Sequence, residues 1–334
     1  MVQIDDAMSG KQGIEYGVPQ GSILGPLLFS VYINDITMSI SHCRVILYAD
    51  DTAIFCKSSD IGFIRNALAQ DMETVAEWLR LNKLTLNVSK TKTMVFGTPH
   101  MLKENPKLVM QQDGVEFEQV STFKYLGLML DSSISFESHL GTLTKKVSSR
   151  LGVLGRVRKF LPLKQRLVLY NSLILPHFDY ASFVWSNACS KYTEPLCRLQ
   201  KRAAKIILGL PRLSSGDEAL SRLRWTPLSA RWQCQRAVMM FRVSRNLVPG
   251  YIADRFTPLS AFGSGDGVRT RGCAQGNFRP ACRSRTDWGK RRFASHGVFL
   301  WNELPSDCKD CDKIGAFKTQ VKSLAATGFN FYVP

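Results

Sequence analysis

The sequence predicts an α+β fold: antiparallel strands with helices, followed by an all-α basic region and a small C-terminal appendage. Three observations predict it. Short apolar runs flank turn residues within the first 131 positions. From Leu140 onward, apolar residues recur at helical spacing. Charge is divided along the chain: residues 1–140 carry 11 Lys/Arg against 16 Asp/Glu, net −5, and residues 141–334 carry 33 against 11, net +22. The boundaries that follow are 1–131, 132–250 and 251–334.

The elements follow in order. Gly17 to Pro26 is punctuated by Gly and Pro and reads as a shaped loop. Leu27 to Ile36 reads as a helix, with Pro26 tolerated in its first turn. Arg44–Tyr48 and Thr52–Cys56 are apolar runs around an acidic turn, which predicts a β-hairpin. Ile61, Ile64, Leu68, Met72, Val75 and Leu79 form a helical stripe. Lys90 to Thr98 reads as a strand. Asp113-Gly114 is a hairpin signal between two further strands, and Phe123 to Asp131 reads as one more strand. Leu140, Leu143, Val147, Leu151, Leu154 and Val157 then mark a helix, and Lys145, Lys146, Arg150, Arg156, Arg158 and Lys159 lie off its stripe. Two more helices are expected near 163–186 and 193–210. Residues 261–285 read as a Gly/Ser/Arg-rich linker, and a closing unit starts near Trp288.

Composition narrows the function classes. No apolar run approaches the ~18 residues of a membrane span, and the acidic N-terminus is unlike a signal peptide. The nine cysteines are odd in number and scattered, unlike a disulfide framework. These features point to an intracellular protein, in nucleus or cytoplasm, with no membrane partner. A +22 half points to a polyanion, and nucleic acid is the commonest one.

The sharpest local feature is Tyr48-Ala49-Asp50-Asp51. Two adjacent carboxylates at a tight, buried turn repel each other and lose hydration. A divalent cation relieves both, and Mg²⁺ suits one or two carboxylates completed by water and phosphate oxygens. A solvated hairpin tip is the commoner explanation of an isolated Asp-Asp pair.

The surrounding blocks weigh the other way. Gly17 to Ile36, Tyr48 to Asp51, Leu79 to Gly97 with Asn87-x-x-Lys90-Thr91 at its centre, and Phe123 to Asp131 occur in this order. Together they resemble the reverse transcriptases of non-LTR (LINE-type, jockey-like) retrotransposons, with a weaker resemblance continuing through Leu199–Leu210 and Phe299–Pro305. The resemblance implies a partial right-hand polymerase palm, an all-α thumb, and RNA-directed DNA polymerisation by two metal ions, Mg²⁺ or Mn²⁺. RNA template, DNA primer and deoxynucleoside triphosphates are the implied partners. Asp50 and Asp51 would be catalytic and bind metal. Lys90 would be catalytic as well, facing the triphosphate as a point charge and a proton donor to pyrophosphate. Pro19, Gln20, Gly21, Tyr48 and Ala49 would line the nucleotide and template pocket, and Tyr125, Leu126 and Gly127 would grip the primer. Lys145, Lys146, Arg150, Lys201, Arg202 and Lys205 would contact the nucleic-acid backbone.

One departure qualifies this. The family has a further catalytic aspartate on a strand well before the Pro-Gln-Gly loop, and only 18 residues precede Pro19 here. Asp5 and Asp6 lie too close to the loop to replace it. The chain is therefore expected to be a C-terminal fragment, inactive alone for want of that strand and the fingers. The rival readings are a non-catalytic RNA- or DNA-binding remnant and a maturase-like splicing factor. Cys282, His296, Cys308 and Cys311 raise zinc, but their irregular spacing argues against it.

Overall fold

The structure, a computed structural model, describes residues 3–10, 17–18, 21–104, 107–261, 275–280, 289 and 292–329. It divides into two compact units, residues 1–123 and 124–334.

The first unit opens with a small hairpin, β1 (Gln3–Ile4) and β2 (Ala7–Met8), turning through Asp5 and Asp6. Helix α1 (Gly25–Ile33) follows, with Pro26 in its first turn, where a missing N–H costs nothing. The Ser22 hydroxyl accepts the Gly25 N–H at 3.1 Å and steadies this start. The chain continues as a 3₁₀ turn, Asn34–Ser39. Strands β3 (Arg44–Tyr48) and β4 (Asp51–Phe55) pair antiparallel, with Tyr48 opposite Asp51. Helix α2 (Ile61–Leu81) begins at Asp60, whose carboxylate accepts the Gly62 N–H at 2.8 Å.

The stripe of α2 serves two small cores. Val75 and Leu79 meet Ile33, Ile36, Leu47 and Ile54. Ile61, Ile64, Leu68 and Met72 meet Leu108, Met110 and Phe117. The hairpin over Asp113-Gly114 is present, with Gln112 opposite Val115 and positive φ at both turn residues. The strand expected over Lys90–Thr98 is shorter than the sequence suggests. Only Lys92–Thr93 pairs, parallel to Glu118–Gln119, and Thr98 then caps a short helix at Pro99.

Asp71 lies on the buried side of α2 and is 1% exposed. Its carboxylate accepts the backbone N–H groups of Ser41, His42 and Cys43 at 2.7–3.3 Å, and lies 3.1 Å from the His42 ring. Those residues lead directly into β3. Burial opposes ionisation, but the bonds from Ser41, His42 and Cys43 outweigh it and hold the carboxyl at about 2. A depressed carboxylate pKa stabilises the fold above the unfolded value, near pH 4. That contribution is lost as pH falls toward 2. The shift is worth about 2 kcal/mol. Asp71→Asn is expected to lower stability by about this amount at pH 7 and to flatten the stability profile between pH 4 and 2, as measured by urea unfolding.

In the second unit, the segment Phe123 to Asp131 is not a single strand. Strands β5 (Thr122–Tyr125, which begins in the first unit) and β6 (Leu128–Asp131) enclose a turn at Leu126 and Gly127, with φ of 45° and 82°. Two successive left-handed residues reverse the chain, which the apolar run alone did not signal. Asp131 then joins β6 to helix α3 (Glu137–Val157). Its carboxylate accepts the Ser133 hydroxyl and the N–H groups of Ser135 and Phe136 at 2.6–2.8 Å.

The helix expected over 163–186 is three helices: α4 (Leu163–Leu173), α5 (Leu175–Asp179) and α6 (Ser182–Trp185). Pro176 sits in the first turn of α5, where it cannot continue a preceding helix. Ala181, at φ 49°, breaks the next junction. Helix α7 (Ser190–Leu208) matches the expected position and ends at Gly209 in the left-handed region. The large core gathers Leu140, Leu143, Val147, Leu151 and Leu154 of α3 with Phe178, Trp185, Leu196, Ile207 and Trp232. Helix α8 (Leu228–Ser244) connects this core to a second one, where Met240 and Phe241 meet Trp301, Phe317 and Val321 of the closing helices. Arg231 on α8 forms a two-pronged pair with Asp179 at 2.6 and 2.7 Å.

Candidate active site

The β3–β4 hairpin reverses through Ala49 and Asp50. Ala49 has φ 51°, a conformation that glycine adopts freely and that costs an L-residue about 1 kcal/mol or more. The register then sorts the side chains by face. Val45, Leu47, Thr52 and Ile54 share one face, and Leu47 and Ile54 are packed on the core. Ile46, Tyr48, Asp51, Ala53 and Phe55 share the other. Tyr48 is 62% exposed, and both aspartates are exposed. The expectation of a buried acidic turn is therefore corrected. The carboxylates repel each other in solvent, and the apolar strands lie beneath them rather than around them.

Among the described residues, neither Asp50 nor Asp51 forms an ion pair. No group of three or more His, Cys, Asp or Glu that could hold a metal occurs among them either. The same holds for the zinc candidates, and Cys282 lies outside the described residues. Two adjacent free carboxylates fit a Mg²⁺ ion that is also held by water and substrate phosphate. They do not form a preassembled two-metal cage.

The loop before α1 is partly described. Pro19 and Gln20 lie outside the described residues. Gly21 has φ 85°, and a Cβ placed there would meet nothing within 4 Å. Glycine is thus demanded by the backbone turn and not by crowding.

Lys90 stands exposed on a turn closed by Asn87. The Asn87 side-chain oxygen accepts the Ser89 hydroxyl at 2.8 Å and the Lys90 N–H at 3.2 Å. Its backbone oxygen accepts the Thr91 N–H and hydroxyl at 3.0 and 2.9 Å. Such an Asx turn explains why Asn stands three residues before the lysine. Among the described residues no ion pair joins Lys90 to either aspartate.

Tyr125, Leu126 and Gly127 share the β5–β6 hairpin. A residue not anticipated from sequence holds it: the Tyr180 hydroxyl donates to the Leu126 carbonyl at 2.6 Å. A Cβ at Gly127 would come within 3.2 Å of the Tyr180 ring. Tyr180→Phe is expected to loosen this turn by about 1 kcal/mol. Faster amide exchange at Gly127 and Leu128 would report it, and unchanged exchange would show that the hydroxyl contributes nothing.

The six candidate backbone contacts fall into two groups. Lys145, Lys146 and Arg202 are exposed. Arg150 donates to the Leu173 carbonyl, Lys201 pairs with Asp217 at 2.7 Å, and Lys205 donates to the Arg212 carbonyl at 2.7 Å. Burial, then Arg150 and Lys146, push the His177 imidazole below its ordinary value. Asp71 was also missed. It occupies the stripe spacing of α2, and an acid on an apolar stripe is the signal that could have found it.

Residues 2–130 match the family described as reverse transcriptase (RNA-dependent DNA polymerase). The chain is 27% identical over 220 residues to the RNA-directed DNA polymerase from mobile element jockey of Drosophila funebris, covering 63% of this chain and 24% of that protein. The Drosophila melanogaster jockey polymerase is 26% identical over 224 residues, with the same shares, 63% and 24%. The Retrovirus-related Pol polyprotein from type-1 retrotransposable element R1 of Nasonia vitripennis is 26% identical over 222 residues, covering 63% of this chain and 65% of that protein. This chain thus spans about a quarter of the length of the jockey relatives. No solved structure gives a significant match. The Tyr48-Ala49-Asp50-Asp51 turn lies inside the matched segment, so the part of the chain that carries it is similar to the reverse transcriptases of non-LTR retrotransposons.

Proposed function

We propose that this chain contributes the acidic hairpin and the nucleic-acid-holding helices of an RNA-directed DNA polymerase. Its partners are RNA template, DNA primer and deoxynucleoside triphosphates. The observation that carries the reading is the hairpin itself: two free carboxylates at a strained, exposed turn, inside the matched segment. Strain held at such a turn is common where geometry serves chemistry. Asp50 and Asp51 would hold Mg²⁺. When bound, the metal would neutralise charge on the triphosphate and the departing pyrophosphate. The chain's own groups position the reactants. Lys90 presents a point charge to the triphosphate. By the family resemblance, Gln20 and Gly21 would border the incoming nucleotide and template, and Tyr125 to Gly127 would seat the primer end. Of the six candidate backbone contacts, Lys145, Lys146 and Arg202 are best placed to meet phosphates, because they are exposed while Arg150, Lys201 and Lys205 are committed to acceptors of the fold.

A second reading is favoured by one observation. Since Asp50 and Asp51 have no third metal-binding partner among the described residues, the chain by itself would bind nucleic acid without extending a primer.

Iron-mediated cleavage tests the site without needing turnover. Fe²⁺ replacing Mg²⁺, with ascorbate, peroxide and a deoxynucleoside triphosphate, generates radicals that cut the nearest backbone. Cleavage is expected at residues 48–51 and is expected to vanish in Asp50→Asn and Asp51→Asn. Cleavage elsewhere, unaltered by these changes, would refute the metal assignment.

A further inference from the structure

We propose that Phe160 is a stacking platform for an unpaired base of single-stranded nucleic acid, presented on a cationic tip between two helices. The proposal deepens the reading that the second unit holds nucleic acid, and it rests on that reading.

Helix α3 ends at Val157, the residues Arg158–Phe160 form a 3₁₀ turn, and α4 begins at Leu163. Phe160 is 81% exposed. A phenyl ring in water forgoes most of the stabilisation that burial would bring. Nor is its exposure the accident of a loose loop, because the tip is tied down. Arg166 donates through Nε to the Leu161 carbonyl at 2.7 Å and through Nη1 to the Ile207 carbonyl at 2.8 Å. Leu161 N–H also reaches the Arg158 carbonyl at 3.4 Å, and Arg166 N–H reaches the Pro162 carbonyl at 3.2 Å. The ring is therefore displayed on a turn anchored to α7.

The electrostatic setting selects the ligand. From Ser138 to Phe178 there is no Asp or Glu, while Lys145, Lys146, Arg150, Arg156, Arg158, Lys159, Lys164 and Arg166 all fall within it. Arg156, Lys159 and Lys164 are exposed, and none forms an ion pair among the described residues. Arg156, Lys159 and Lys164, on either side of one exposed aromatic residue in the chain, suit phosphates flanking a stacked base. Every base offers a π-face, so the contact is sequence-tolerant and needs no hydrogen-bonding pocket. In a duplex those faces are occupied by neighbouring pairs, so the ring discriminates for unpaired nucleotides.

The test measures anisotropy of a labelled oligothymidylate and of a blunt duplex of equal length, at fixed low salt. Phe160→Ala is expected to weaken oligothymidylate binding about tenfold and to change duplex affinity by about twofold or less. Phe160→Trp is expected to retain single-strand affinity. Because the side chain is exposed, these variants should keep the parent melting temperature. Equal loss on both ligands, or no loss on either, overturns the proposal while leaving the phosphate-binding reading in place. Vesicles of phosphatidylserine and phosphatidylcholine form a third arm. Loss of vesicle binding in Phe160→Ala with oligothymidylate binding unchanged would make the tip a membrane contact and overturn the proposal. If the unaltered chain binds neither oligothymidylate nor duplex at low salt, the nucleic-acid reading of the second unit fails, and this proposal with it.

Discussion

Primer extension on poly(rA)–oligo(dT) with Mg²⁺ is expected to stay at background for this chain, on the order of a thousandfold or more below a complete polymerase site. Phosphoryl transfer leaves the protein little covalent work, so the rate depends on positioned charge. Removing a single preorganised electrostatic partner commonly costs 10²–10³-fold. Two metal ions near a triphosphate must be fixed against each other as well as against the substrate. Asp50 and Asp51 supply two carboxylates, and no third His, Cys, Asp or Glu joins them among the described residues. Asp5 and Asp6 form the turn of their own small hairpin, β1–β2. If extension is robust and Asp50→Ala abolishes it, another group completes the site, and Asp5→Ala and Asp6→Ala are the first variants to compare.

Local order was legible wherever one signal decided it. Pro26 marked the start of α1, and the apolar stripe from Ile61 marked α2, whose cap at Asp60 the structure adds. Asp113-Gly114 marked a hairpin, and α7 was placed within a few residues, although its stop at Gly209 was not read. The acidic turn was legible because apolar strands flank it. Its exposure was not, since the continuous apolar run of Arg44–Tyr48 reads as a strand covered on both faces, whereas the structure covers only one. The turn at Leu126-Gly127 was implied by the resemblance to a primer-grip hairpin but hidden in the local pattern, for a different reason. Leu at φ 45° opposes its own preference, and the hydrogen bond from Tyr180, 54 residues away, is invisible locally. The breaks near Pro176 and Ala181 depend likewise on the core into which Phe178 and Trp185 turn.

The same distinction applies to the basic residues. Their number is a sequence fact, but their availability is a matter of packing. Lys201, Lys205 and Arg150 satisfy acceptors of the fold itself, so counting them as phosphate contacts double-counts their hydrogen bonds. A lysine committed to a carbonyl must surrender that bond before it can meet a phosphate, which lowers its net worth in binding.

Duplex binding by the second unit is expected to be sequence-independent and steeply salt-dependent, and Lys145→Ala with Lys146→Ala is expected to flatten that dependence. Both side chains are exposed on α3, away from the stripe of Leu143, Val147 and Leu151 that it buries. Each phosphate neutralised contributes about −0.9 to the slope of log K against log salt on duplex DNA. Losing two contacts should therefore reduce the slope's magnitude by about 1.8, with melting temperature unchanged because both positions are on the surface. Arg150→Ala separates charge from structure. Its guanidinium holds the carbonyl of Leu173 at the end of α4, so its removal should cost stability about as a lost hydrogen bond does, about 1 kcal/mol, and should alter the slope less. Anisotropy of a labelled RNA–DNA hybrid across several salt concentrations reads the slope, and thermal unfolding reads the stability. A slope unchanged in the double variant would mean that Lys145 and Lys146 are a solvated face. The thumb assignment would then lose its physical support, whatever the total charge of the unit.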